Sequence, residues 1–75
     1  MLSREEQNLF YQKLGERIKT ARVGGKTKQD ALAIHLNLNR VSIVNIEKGK
    51  QKVQLHNLIE IAAYLNVRLE DLLPP

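Results

Sequence analysis

The side chains with chemistry to offer in this chain are mostly basic, and they are unevenly placed. Residues 22–56 carry Arg22, Lys26, Lys28, Arg40, Lys48, Lys50 and Lys52 against only Asp30 and Glu47, a balance of +5. Residues 1–21 set Arg4, Lys13, Arg17 and Lys19 against Glu5, Glu6 and Glu16, a balance of +1. Residues 57–75 set Arg68 against Glu60, Glu70 and Asp71, a balance of −2. A central excess of this kind suits one face built for a polyanion; charge alone is equally met by a solvated, lysine-rich surface. The groups that enzymes and metal sites need are scarce. There is no cysteine, which excludes disulfides and any Cys-based zinc or redox site. Two histidines, His35 and His56, are too few for a usual metal centre. His35 and Ser42 fall in one stretch, but a small helical domain lacks a pocket that would assemble an acid and a base. The pair Gly24-Gly25 does not have the form of a phosphate-cradling loop. Catalysis is therefore not expected, and neither is a cofactor or a metal.

The chain has 75 residues, the length of one small domain spanning 1–75. A domain of this size buries only about 60% of the surface its unfolded chain exposes, so its stability is marginal. Apolar residues make up 43% and charged residues 27%, a globular balance and not a disordered one. No apolar run approaches the ~20 residues of a membrane span, so no membrane partner is expected. The start, Met1-Leu2-Ser3-Arg4-Glu5-Glu6, is charged where a signal peptide is apolar, which points to the cytoplasm.

Helical spacing runs through the chain, and no strand alternation persists. Ser3-x-x-Glu6 reads as a capping box that opens the first helix. Phe10, Leu14, Ile18 and Ala21 then lie on one face, residues 1–13 form an extended N-terminal part, and Gly24-Gly25 end the helix. The second helix starts near Thr27 or Lys28, with Leu32, Ala33 and Leu36 inward. Asn37 suits a left-handed turn. Asn39 caps the third helix, Ile43 and Ile46 face inward, and Gly49 closes it. The fourth starts near Gln54, with Leu55, Leu58, Ile61, Ala62 and Leu65 inward and Asn66 in the turn after it. A short fifth helix covers about Leu69 to Leu73. The expected core comprises Leu14, Ile18, Leu32, Ala33, Leu36, Leu38, Ile43, Ile46, Leu58, Ile61, Ala62 and Leu65. The fold class is all-α, a compact bundle of five short helices.

Helices two and three are separated by about three residues, too few for an antiparallel pair. They must cross steeply, with Ala33, Leu38, Ile43 and Ile46 filling the corner. This is helix-turn-helix geometry, in which the second helix of the pair enters the DNA major groove.

From Leu14 to Leu73 the sequence resembles the Cro and lambda-repressor-like family of helix-turn-helix regulators, the XRE type. The resemblance rests on an ordered set: Leu14-Gly15-Glu16-Arg17-Ile18, Arg22, Gln29-x-x-Leu32-Ala33, Leu38-Asn39-Arg40 and Ile43-x-x-Ile46-Glu47-Lys48-Gly49-Lys50. Leu58-x-x-Ile61-Ala62-x-x-Leu65-x-Val67 and Leu69-Glu70-Asp71-Leu72-Leu73 complete it. Thr27 and Lys28 depart from the pattern, where an apolar residue and a Thr or Ser are usual. The start of the second helix is then shifted, or recapped by Thr27.

The resemblance implies a sequence-specific transcriptional regulator of double-stranded DNA, with a recognition helix at about 39–48. By family position, Arg40, Val41 and Asn45 face base edges with Val44 beside them. Arginine suits guanine, asparagine suits adenine, and valine packs on a thymine methyl. Lys28, Gln29, Ser42, Lys48, Lys50 and Lys52 are the implied phosphate contacts, which fix register without reading sequence. Backbone amides near Gln29 add attraction for a phosphate. Arg22 and Glu47 are implied to form a structural ion pair. One such domain reads few base pairs, so a homodimer on an inverted repeat is expected. Ile59, Ala63, Tyr64 and Leu69 are the first candidates for its seam, and Leu9 and Phe10 on the first helix are the alternative. The competing reading is an antitoxin-like or adaptor protein that uses the same fold mainly to bind another protein.

Overall fold

Ser3 opens the first helix. Its hydroxyl accepts the Glu6 amide N–H at 3.1 Å, and the Glu6 carboxylate accepts the Ser3 amide N–H at 2.9 Å. The Ser3 amide, and after it the Ser3 hydroxyl, holds the Glu6 carboxyl below its ordinary pKa of 4.5. The computed structural model describes all 75 residues, Met1–Pro75, and runs this helix, α1, from Arg4 to Gly24. At about 1.5 Å per residue, α1 accounts for the longest dimension of the molecule, 33 Å.

The chain leaves α1 at the glycine pair, but neither glycine makes the left-handed turn. Gly25 has φ −87°, and Lys26 takes φ 56°. The amides of Gly25 and Thr27 bond back to the carbonyls of Ala21 and Arg22, each at 3.0 Å. The helix, α2, spans Gln29–His35 with Lys28 as its N-cap and no side-chain capping bond. Thr27 does not recap it: its hydroxyl donates to the Gly25 carbonyl at 3.4 Å, back toward α1.

Asn37, at φ 56°, makes the tight turn. Asn39 then caps α3, Arg40–Glu47, by accepting the Ser42 amide N–H at 2.8 Å. Next come α4, Leu55–Leu65, closed by Asn66 at φ 57°, and α5, Leu69–Leu72. The Asp71 carboxylate accepts the Arg68 amide N–H at 3.1 Å and starts that last turn. The architecture is all-helical, with five helices and no strand. No helix is long and apolar enough to cross a membrane.

Every helix contributes to one buried cluster. Leu14 and Ile18 come from α1, and Leu32 and Ala33 from α2, with Leu36 at its C-cap. Ile43 and Ile46 come from α3, Leu58, Ile61 and Ala62 from α4, and Leu72 from α5. Leu38 and Leu65, expected in this core, are half-buried against it, as are Phe10 and Ala21. Leu55 was expected inward and is instead 65% exposed. It stands in the first position of α4, about 60° around the helix from Leu58. Leu72 was outside the expected core and is 1% exposed.

Candidate nucleic-acid interface

The helix α3 is held at a fixed distance from α1 by two glycines. A Cβ on Gly15 would meet the carbonyl oxygens of Ile46 and Glu47, the latter at 2.6 Å. The α1 backbone therefore lies directly against the last turn of α3. Gly49 follows that turn at φ 75°, and a Cβ there would fall 2.7 Å from the Gln12 Cα. Any other residue at either position would push α3 away from α1.

An ion pair holds the same end of α3. Arg22 Nε donates to Glu47 Oε2 at 2.6 Å, and its Nη2 donates to Oε1 at 3.0 Å. Both side chains are buried. Arg22 Nη1 also donates to the Thr27 carbonyl at 2.9 Å, which fixes the loop into α2. Glu47 Oε1 accepts a further bond, from Gln29 Nε2 at 3.0 Å. One buried carboxylate thus joins the end of α1, the start of α2 and the end of α3. Fully partnered, it puts no uncompensated negative charge beside the basic face.

With Ile43, Ile46 and Glu47 buried, the rest of α3 is turned outward. Arg40 and Val41 are exposed, and Ser42, Val44 and Asn45 are half-buried. Arg40, Val41, Val44 and Asn45 recur at i, i+1, i+4 and i+5, which places them on one arc of the helix. Arg40 Nε donates to Gln29 Oε1 at 3.4 Å and lies 3.9 Å from Asp30 Oδ1. The Asn45 carbonyl accepts the amides of Lys50 and Gln51 at 2.8 and 3.3 Å. That carbonyl folds the following loop, with its lysines, back beside α3.

The flanking cations differ in how they are held. Lys28, Lys48 and Lys50 are exposed. Lys52 leans on α1: its Nζ donates to Gln7 Oε1 at 3.3 Å and sits 5.8 Å from the centre of the Tyr11 ring. Gln29, half-buried, has both ends of its carboxamide engaged within the protein. Sequence reasoning missed Lys19, which lines a cleft with Arg22, Lys28, Gln29, Asp30 and Arg40. Its signal was its spacing, one helical turn before Arg22. Asp30 was also missed as part of this face.

The four seam candidates do not share a surface. Ile59 and Ala63, both exposed, follow Leu55 at four-residue steps along one flank of α4. Tyr64 is on the other flank, its ring stacked on His35 with centroids 4.1 Å apart. Leu69 is half-buried against the core. The alternative seam on α1 adjoins the first, because Phe10 lines one apolar hollow together with Val53, Leu55 and Leu73.

Two short packed helices joined by four residues, the second buttressed from behind and carrying basic side chains around its outer arc, have the form of the helix-turn-helix class of DNA-binding module. The chain matches the family model described as a helix-turn-helix domain over residues 15–74. That is 60 of its 75 residues. The chain belongs to this family, the XRE-type helix-turn-helix regulators, which are DNA-binding proteins and not enzymes.

Solved structures agree. The restriction-modification controller protein C.AhdI from Aeromonas hydrophila is 27% identical, with a TM-score of 0.76 over 83% of this chain and 94% of that one. The hypothetical transcription factor NHTF from Neisseria is 27% identical, with a TM-score of 0.78 over 88% of this chain and 76% of that one. The DNA-binding domain of BldD, 21% identical, shares the fold over 97% of this chain and all of its own length, with a TM-score of 0.77. No curated protein matches the sequence.

Proposed function

We propose that the chain is a sequence-specific, double-stranded DNA-binding transcriptional regulator acting as one domain over residues 1–75. In this reading α3 and its caps, residues 39–48, enter the major groove. The observation that carries it is the division of α3 into two arcs. Ile43, Ile46 and Glu47 are locked against the core, while Arg40, Val41, Val44 and Asn45 turn outward with polar groups suited to base edges. Arg40 and Asn45 select bases, and the two valines pack on thymine methyls. Lys28, Ser42, Lys48 and Lys50 contact phosphates, and Lys52 reaches a phosphate after leaving Gln7 and Tyr11. Gln29 serves the interface mainly through Glu47 and Arg40, and Lys19 adds to the phosphate-facing charge.

A single module of this kind covers too few base pairs for useful selectivity, so the regulator acts as a twofold dimer on an inverted repeat. The α4 flank of Ile59 and Ala63 supports a seam there, extended by Leu55 and the hollow it shares with Phe10 and Leu73. Leu55, Ile59 and Leu73 are otherwise exposed to water. Selection of bound duplexes from a random pool tests the reading. Enrichment of an inverted repeat with half-sites about 10 base pairs apart, or a multiple of that, is the expected result. A pool that stays random after several rounds contradicts it.

A further inference from the structure

Asp30 is the one charge on this face with the wrong sign for a polyanion. Of the two acids among residues 22–56, Glu47 is buried and paired, whereas the Asp30 side chain is 69% exposed. It lines the cleft that also holds Lys19, Lys28 and Arg40. A carboxylate there opposes the approach of phosphates. Its own contact indicates a use. Asp30 Oδ1 lies 3.9 Å from Arg40 Nε, and Gln29 Oε1 accepts from that same nitrogen at 3.4 Å. Gln29 cannot readily turn away, because its Nε2 donates to the buried Glu47 carboxylate at 3.0 Å. Gln29 Oε1 takes the single Nε–H of Arg40, and Asp30 Oδ1 stands beside it at ion-pair distance, beyond hydrogen-bond reach, both on the α2 side. The two terminal nitrogens of the guanidinium make no hydrogen bond within the protein.

We propose that Asp30 is a specificity-determining residue. Gln29 holds Arg40 by Nε, and the Asp30 charge beside that contact keeps the guanidinium from a phosphate, so that the terminal N–H groups meet a base edge. The inference rests on the DNA-reading function proposed above. An arginine beside a duplex finds two kinds of acceptor: phosphate oxygens, which carry no sequence information, and guanine O6 and N7, which do. Asp30 offsets the pull of Arg40 toward phosphate and repels a phosphate that approaches the cleft. Gln29 fixes the direction in which the guanidinium fork points. Specificity is a difference of affinities, and a repulsive element raises it by weakening the wrong complex.

The test is Asp30→Asn, a change of charge without change of shape at an exposed position. Binding is measured on the selected duplex, on duplexes changed one base pair at a time, and on a scrambled duplex of equal length, over a range of salt. Four proteins are compared: the natural chain, Asp30→Asn, Arg40→Ala and the double variant. Asp30→Asn is expected to bind scrambled DNA more tightly, with a log-affinity against log-salt slope steeper by about one phosphate contact. Its discrimination should fall several-fold at the base pair that Arg40 reads, and at no other. In the Arg40→Ala background the same change should strengthen both duplexes alike and leave discrimination unaltered. If Asp30→Asn strengthens both duplexes alike in the natural background, Asp30 is a bystander charge and the inference is overturned. A natural chain that prefers no duplex overturns the DNA-reading function itself, a result visible before any variant is made.

Discussion

Arg22 shows how one side chain governs three elements. Its guanidinium spans the Glu47 carboxylate and the Thr27 carbonyl, and both members of the pair are buried. Arg22→Ala would leave Glu47 charged, buried and held only by Gln29. The expected cost is about 3–5 kcal/mol, read as a lower urea midpoint with an unchanged slope; a loss below about 1 kcal/mol contradicts the role. Lys26 presents the opposite case. It holds φ 56° with a Cβ that disfavours that region, so Lys26→Gly should stabilise by about 0.5–1 kcal/mol, and a lower midpoint would contradict the strain. The sequence made Asn37, Asn39 and Asn66 legible as turn and cap residues because their roles depend on local chemistry. It did not make Lys26 legible. A neighbouring glycine pair permits a reversal without dictating which residue performs it.

At the scale of elements, the long helices could be read and the short one could not. Periodicity over α1 and α4 leaves little choice of inner face, apart from the first turn of α4, where Leu55 escapes burial. In α5 four residues carry Leu69 and Leu72 with Leu73 just beyond, too short a stretch for a period to choose among them. Packing chooses Leu72, which closes the cluster between α1 and α4. Leu72→Ala is expected to cost about 2–5 kcal/mol, measured by denaturant unfolding. The same change at exposed Leu73 should cost far less, and equal losses would contradict the assignment. The position of α3 was legible only in part. Its cap and inner residues follow from pattern, but the close approach of Gly15 to the last carbonyls of α3 depends on where α1 lies. The Gln29 link to Glu47 likewise joins residues 18 apart in sequence, a pairing that no local spacing reveals.

On the scale of the whole molecule, exposed apolar groups are found in more than one region. Val41 on α3 and Ile34 on α2 lie among or near the basic side chains, while Leu55, Ile59 and Leu73 are exposed on the surface of α4 and the C-terminal end. The charge asymmetry was legible in the sequence. The division of the seam candidates was legible as well, since Ile59 and Tyr64 are five residues apart and about 140° around the helix from each other, but the stacking of Tyr64 on His35, 29 residues away, was not. Ile59→Asp should dissociate the dimer and weaken binding to a full inverted repeat. Tyr64→Asp should leave the dimer intact, since Tyr64 faces His35 on the other flank. Sedimentation equilibrium reports both, and a dimer that survives Ile59→Asp contradicts this seam.

Base reading by α3, with the surrounding lysines holding the DNA backbone, is tested most directly by titrating one selected duplex and one scrambled duplex with the natural chain, Arg40→Ala and Lys50→Ala. Arg40→Ala should lose about 1–3 kcal/mol on the selected duplex, relax choice at one base pair and change little on the scrambled one. Lys50→Ala should weaken both duplexes alike and reduce the salt slope by about one. Equal losses on the two duplexes for Arg40→Ala would contradict base reading by α3.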